Sequence, residues 1–354
     1  MRSFTYTALP ARVVFGSGTV AALPDEMQRM GCRRALVLTT AEQASAGQEI
    51  AAKLGERAAG VFSGAVMHTP VEVSERAASI AREAGADCTV AVGGGSTIGL
   101  GKAIALRTDL PQICIPTTYA GSEMTPIIGQ TEGGLKTTQR TEKVLPEAVI
   151  YDVDLTLTLP PALSATSGIN AIAHAVEALY AQDRNPVISL MAEEGVRALA
   201  QALPVIVAEP ADKDARTEAL YGAWLCGACL GAVGMALHHK LCHVLGGTFN
   251  LPHAETHTIV LPHALAYNAI AAPEAIAALS RALGGSDPAQ RLFDLAGQLG
   301  SPRALRDIGM PQEGIGKACE LALKNPYWNP RPLEREGIHA LIARAWAGEP
   351  PQAN

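Results

Sequence analysis

Along the first part of the chain, apolar and polar positions switch between two rhythms. Arg34 to Thr39 is an apolar run of strand type, Glu42 to Gly60 an alanine-rich helical stretch, Val61 to Met67 a second strand and Val71 to Gly85 a second helix. Cys88 to Val92 again has strand character, a helix opens near Ser96, and Gln112 to Pro116 forms the next strand. Strands alternating with helices in this way predict βαβ units and a parallel, doubly wound sheet. Between Thr125 and Arg140 the pattern breaks into polar sequence around Gly133-Gly134, which predicts a hairpin, and Ala148 to Asp152 supplies a last strand. Leu159-Pro160-Pro161 is a stiff stop, and after it long helical patterns run without a convincing strand. The expected fold class is α/β, with a doubly wound N-terminal domain over residues 1–159 and an all-α domain over residues 160–354.

Composition narrows the class further. At 354 residues the chain exceeds one typical core, which supports two domains. A hydrophobic content of 48% against 18% charged residues describes a packed globule and excludes a disordered or fibrous chain. The net charge of -6, with no basic stripe, argues against a nucleic-acid partner, because neutralising phosphates needs clustered Lys and Arg. The seven cysteines are odd in number and lie mostly in apolar runs, so reduced thiols in a cytoplasmic setting fit better than a secreted disulfide framework. Met1 to Tyr6 lacks the apolar core of a signal peptide, and no window is apolar enough to span a bilayer, so no membrane association is expected. Cys226-Gly227-Ala228-Cys229 sits inside an Ala- and Leu-rich helical run with no second pair nearby, and we assign it to core packing.

Two segments carry candidate chemistry. Strand Cys88 to Val92 leads into Gly93-Gly94-Gly95-Ser96, a turn without side chains that opens a helix. Such glycines let backbone amides approach a pyrophosphate, and the helix N-terminus adds free N–H groups and a partial positive charge. A tight turn capped by Ser96 would have the same sequence. The segment is neither the G-x-G-x-x-G fingerprint nor a P-loop, since Ser96 stands where the P-loop's first glycine belongs and Ala103 replaces its Ser or Thr. The next strand ends in Thr117, Thr118 and Ser122, so two strand ends offer polar groups to one ligand, which favours a dinucleotide. Thr39 and Thr40 occupy the strand end that would face an adenosine ribose. With no carboxylate there to repel a 2′-phosphate, both NAD(H) and NADP(H) remain open.

Of nine histidines, six fall between His238 and His263. His239 and His243 are four apart on a predicted helix, and His253 follows a proline-marked break that lets it fold back toward them. Asn170 and His174 show the same spacing on another helix. Three imidazoles and one oxygen donor can form an iron or zinc shell with an open position, although any one of these histidines could equally be a hydrogen-bonded core residue.

These motifs resemble the iron-containing alcohol dehydrogenase superfamily, and within it the maleylacetate reductase branch. The resemblance runs over nearly the whole chain, through Val13 to Gly18, Gly93 to Ser96 with Gly101-Lys102, Pro116 to Pro126, Lys136 to Arg140, Gly168 to Tyr180, His239 to Gly246, Leu251 to Asn268 and Asn329 to Leu333. Its most specific parts are the short loop Thr118 to Pro126 and Pro252-His253-Ala254-Glu255-Thr256-His257. The resemblance implies the dehydroquinate synthase-like fold, with an N-terminal dinucleotide domain, a C-terminal helical domain, a cleft between them and a homodimer. It also implies reduction of the carbon-carbon double bond of maleylacetate to 3-oxoadipate with NAD(P)H, in the breakdown of aromatic compounds. The family's metal ligands, Asp and three His, fall on Asn170, His174, His239 and His253. Asn170 departs from that pattern and leaves the site one negative charge short. The histidines would then meet the dicarboxylate substrate directly. The expected roles are oxygen stabilisation by His239 and His174, proton transfer by His243, and substrate binding by Lys240, Arg331, Lys102 and His253. Three rivals follow: an iron- or zinc-dependent alcohol dehydrogenase of the same fold, a dehydroquinate synthase relative that recycles NAD, and a non-catalytic nucleotide-binding module.

Overall fold

The computed structural model describes residues 4–9 and 12–353; the side chains of residues 135 and 136 also lie outside the description, as do residues 1–3 of the stretch read as lacking a leader. The chain divides into two compact units, one of residues 9–159 and one of residues 160–354 joined by the first eight.

In the first unit the strands are β1 (Arg12–Gly16), β2 (Ala35–Leu38), β3 (Ala58–Phe62), β4 (Cys88–Gly93) and β5 (Gln112–Pro116), with α1 (Leu23–Arg29), α2 (Ala44–Leu54), α3 (Val71–Glu83) and α4 (Gly95–Thr108) between them. A hairpin of β6 (Ile127–Glu132) and β7 (Leu135–Arg140) precedes β8 (Ala148–Asp152). The main sheet is six-stranded in the order β1-β8-β5-β4-β2-β3, and every pair is parallel. Its central strands are covered on both faces, which is why they are apolar throughout rather than alternating. Val37, Val90, Val92, Ile113, Ile115 and Ile150 project to one face and pack with Leu23, Met27 and Ile50. On the other face α4 lies so close that a Cβ on Gly101 would sit 3.5 Å from Ala91 and 3.7 Å from Leu38.

The expected strand Val61 to Met67 is instead β3, Ala58–Phe62, and the preceding helix ends at Leu54, because Gly55 takes a positive φ of 57° there. Strand β1 was read only as part of a resemblance; it completes the sheet by pairing with β8. The chain runs from β2 out to the edge at β3 and returns on the other side of β2 as β4, so the topological switch point lies at the carboxyl ends of β2 and β4.

The second unit is helical: α5 (Pro161–Tyr180), α6 (Pro186–Ala208), α7 (Lys213–Ala232), α8 (Leu237–Phe249), α9 (His253–Asn268), α10 (Pro273–Leu283), α11 (Pro288–Gln298), α12 (Gly314–Leu323) and α13 (Arg335–Ala347). Helix α5 is buried along nearly its whole length, in keeping with the Ala, Ile, Val and Leu residues spread around it. Helix α8 stops at Asn250, which adopts the left-handed conformation at φ 52°, and Leu251-Pro252 then turns the chain straight into α9. Cys226 and Cys229 are buried and unbridged within α7, in keeping with core packing. No single described helix is long and apolar enough to cross a membrane.

Candidate active site

At the switch point of the first unit, β4 delivers Gly93-Gly94-Gly95 to the N-terminus of α4. Gly93 has a φ of 151°, and a Cβ there would meet Thr97 Oγ1 at 2.5 Å and Gln43 Oε1 at 2.7 Å. A Cβ on Gly94 would strike Thr118 Cγ2 at 2.9 Å, whereas one on Gly95 would only touch Ala120 Cβ at 3.9 Å. Glycine at 93 and 94 keeps this cradle clear, and the helical bonding of α4 begins only with Thr97 N and Ile98 N, which donate to Gly94 O at 3.1 Å each, leaving the amides of Gly95 and Ser96 ahead of it, so the residues present fit a dinucleotide pyrophosphate. Ser96 lies half-buried beside it. Thr117 N donates to Gly93 O at 3.1 Å, and Gln43 Nε2 donates to Thr117 Oγ1 at 2.9 Å, which ties together the ends of β4, β5 and the turn after β2. Gln43 had no signal in the sequence.

Two expected contacts are corrected. Thr39 is fully buried and its hydroxyl is spent on Ser63 Oγ at 3.0 Å, so Thr40 is the hydroxyl left at the end of β2. Lys102 is not a surface cation. It is fully buried in α4, and its ammonium donates to Ser122 O at 2.6 Å and to Thr125 O, Thr125 Oγ1 and Ile127 O at 2.8 Å each. Burial pulls its pKa down to about 7, opposed by Cys114 and Glu123. Lys102 therefore pins the loop carrying Thr118 and Ser122 and is not free to bind a substrate.

In the second unit, Asn170, His174 and Glu177 fall at i, i+4 and i+7 of α5 and share one face. Helix α8 brings His239 to them, with its ring 5.2 Å from that of His174. The turn into α9, at the proline break expected to fold His253 back, brings His257 round with it; His257 lies 4.1 Å from His253 and 5.0 Å from His239 between ring centres. Burial pushes His174, His239 and His257 well below the ordinary histidine range, with neighbouring imidazoles adding to the effect, so these rings are neutral.

Several buried polar atoms here meet no protein partner: Asn170 Oδ1, His174 Nδ1, His239 Nε2 and both nitrogens of His257. Each would cost about 1–3 kcal/mol if left unpaired, which marks the cluster as built for something outside the chain. The donor types of the expected set, the imidazoles of His174, His239 and His253 and the amide of Asn170, are ones that a borderline cation such as zinc or ferrous iron takes, with no ionised oxygen among them. Among the described residues, ligand atoms of His238, His239 and His257 lie within 4.8 Å of one another. His238 is already committed, since its Nε2 lies 3.0 Å from His257 O.

Glu177 and His257 carried no assigned role in the sequence, because the contacts that define them come from other helices. Glu177 is fully buried; burial raises its pKa, while His238 and the amides of Ala236, His238 and His239 oppose the rise. His243 is exposed, with Nδ1 2.9 Å from Tyr327 Oη, a second partner the sequence did not reveal. Lys240 Nζ donates to Lys324 O at 3.1 Å and lies 5.7 Å from the Tyr327 ring, beside His243. Arg331 does not present a free cation: its guanidinium stacks 4.2 Å over Tyr267 and donates to Tyr267 O at 2.9 Å. With Asn329 bonded to Asn268, it fastens the Asn329-to-Leu333 segment onto the end of α9, which corrects its expected role as a substrate ligand.

Known proteins agree with both halves. Residues 10–153 match the model of the iron-containing alcohol dehydrogenases, and residues 164–346 match the C-terminal model of that family. The chain belongs to the iron-containing alcohol dehydrogenase family. Within the family it is 60% identical to a maleylacetate reductase of Sphingobium indicum, over 98% of this chain and 99% of that one. The crystal structure of a maleylacetate reductase from Agrobacterium tumefaciens superposes with a TM-score of 0.97 at 57% identity, covering 99% of this chain and all of the other. An iron-containing alcohol dehydrogenase from Corynebacterium glutamicum gives a TM-score of 0.93 at 44% identity, over 98% of this chain and 97% of that one.

Proposed function

We propose that this member of the family is a maleylacetate reductase, reducing the carbon-carbon double bond of maleylacetate to 3-oxoadipate with NAD(P)H. The observation that carries the reading is 60% identity over essentially the full length of a maleylacetate reductase. When bound on Gly93, Gly94, Gly95 and Ser96 with Thr40, Thr117 and Thr118, the nicotinamide supplies the hydride. Hydride belongs at the alkene carbon remote from the ketone, the charge passes to the ketone oxygen, and a proton completes the carbon beside it.

The chain's own residues serve the remaining needs. His243, bonded to Tyr327, is exposed and suited to move that proton. Lys240, next to this pair, is the cation we assign to a substrate carboxylate. His174 is assigned to the ketone oxygen, and His253 lines the substrate. A cation held by the histidines would add Lewis acidity at that oxygen. Seven buried, unbridged cysteines support a reducing, cytoplasmic setting. Homodimer assembly is part of the proposal, and sedimentation equilibrium tests it.

Similarity to an alcohol dehydrogenase at 44% identity keeps a second reading, metal-dependent alcohol oxidation. Parallel assays decide between them: maleylacetate with NADH or NADPH, and simple alcohols with NAD+ or NADP+, each on chelated and on iron- or zinc-supplied protein. NAD(P)H consumption with maleylacetate that survives chelation supports the reductase; metal-restored alcohol oxidation alone moves the chain to the other branch.

A further inference from the structure

We propose that Glu177 is a positioning residue that holds the proton of His239 on Nδ1, so that Nε2 is presented as a bare lone pair. Glu177 Oε1 accepts from His238 N at 2.7 Å, and Oε2 accepts from Ala236 N at 2.8 Å and His239 N at 3.5 Å. These are the leading amides of α8, whose N-cap Ala236 offers no side-chain acceptor, so a carboxylate from α5 caps α8 across the interior. Burial raises the pKa of Glu177, and the positive end of a helix with three amides converging on its two oxygens opposes that rise; with both oxygens already accepting, the carboxylate has no hydrogen to give. His239 Nδ1 lies 2.7 Å from the same Oε2, and the proton of that contact therefore belongs to the imidazole. In a neutral ring Nε2 is then unprotonated, and it is the atom left buried without a partner. Carboxylate, imidazole and open position form the arrangement that fixes the tautomer and orientation of a ligating histidine.

The consequence changes a role expected from the sequence. With its Nε2 bare, His239 cannot donate to a developing oxyanion. It accepts from a group that brings its own hydrogen or ligates a divalent cation. This holds whichever substrate the enzyme takes, so its failure and the failure of the reductase reading are separable.

Neutron diffraction from deuterium-exchanged crystals of the full chain is the direct test. Deuterium on His239 Nδ1 and none on Nε2 is expected; deuterium on Nε2 with Nδ1 bare overturns the proposal. Histidine nitrogen NMR of variants supplies a second readout, with the His239 signals assigned through their loss in His239→Asn. Glu177→Ala should abolish the Nδ1–H tautomer, and Glu177→Gln, which keeps an acceptor oxygen, should restore it. An unchanged tautomer in a folded Glu177→Ala protein also overturns the proposal, and if that variant does not fold the neutron map decides alone.

Discussion

Replacing Lys102 with Met separates two accounts of a residue that the sequence marked as a substrate cation. Methionine keeps much of the aliphatic stem but gives the loop no donor. Ser122 O retains a bond from Thr125 Oγ1 at 3.1 Å, while Thr125 O and Ile127 O lose the ammonium. A buried and a part-buried carbonyl left without a donor, at about 1–3 kcal/mol each, amount to about 3 kcal/mol after partial relaxation. For a domain of this size, 1 kcal/mol moves the melting temperature by about 2–4 °C, so the sheet unit should melt roughly 6–12 °C earlier by scanning calorimetry. Below that temperature, KM for maleylacetate should be nearly unchanged. A tenfold rise in KM with an unchanged melting temperature would refute the structural role and return Lys102 to the substrate.

Gly94→Ala places a methyl 2.9 Å from Thr118; because half-buried Thr118 can turn aside, the cost falls on the amide cradle, and KM for NADH should rise about tenfold with little change in kcat. Asn170→Asp supplies the missing carboxylate, so calorimetric titration should show zinc affinity raised at least about tenfold. His263, buried in α9 and outside the cluster, has its pKa lowered to about 4 by burial and then by Arg344. Its folded pKa lies below the unfolded value, so the unfolded chain gains the proton first as pH falls. The stabilisation is intact above about pH 6.5 and is lost toward about pH 4, at roughly 1 kcal/mol per pH unit. His263→Leu should flatten the acid limb of a urea-denaturation profile by about one proton.

The sheet was legible where both neighbours of a strand agreed with it. Gln112 to Pro116 and Ala148 to Asp152 were read with the observed ends, because each is a compact apolar run between polar breaks. The β3 boundary failed because Ala58-Ala59-Gly60 continues an alanine-rich helix as readily as it starts a strand. Spacing found the histidines, since i, i+4 pairs and a proline break are local signals. It did not find Glu177, Tyr327 or Gln43, whose partners lie far along the chain. Lys102 and Arg331 were misassigned for a related reason: a cation's partners are set by tertiary packing. The apolar run around Lys102 on both sides was nevertheless a sign of burial.

The most direct test of the reductase account follows where the hydride goes. Maleylacetate is incubated with NADH deuterated at the transferable position, and the product is read by deuterium and proton NMR. The account predicts 3-oxoadipate with its ketone intact and one deuterium on the former alkene carbon remote from that ketone. Deuterium on a newly formed carbinol carbon, with the double bond retained, would contradict it and identify carbonyl reduction of the alcohol dehydrogenase type.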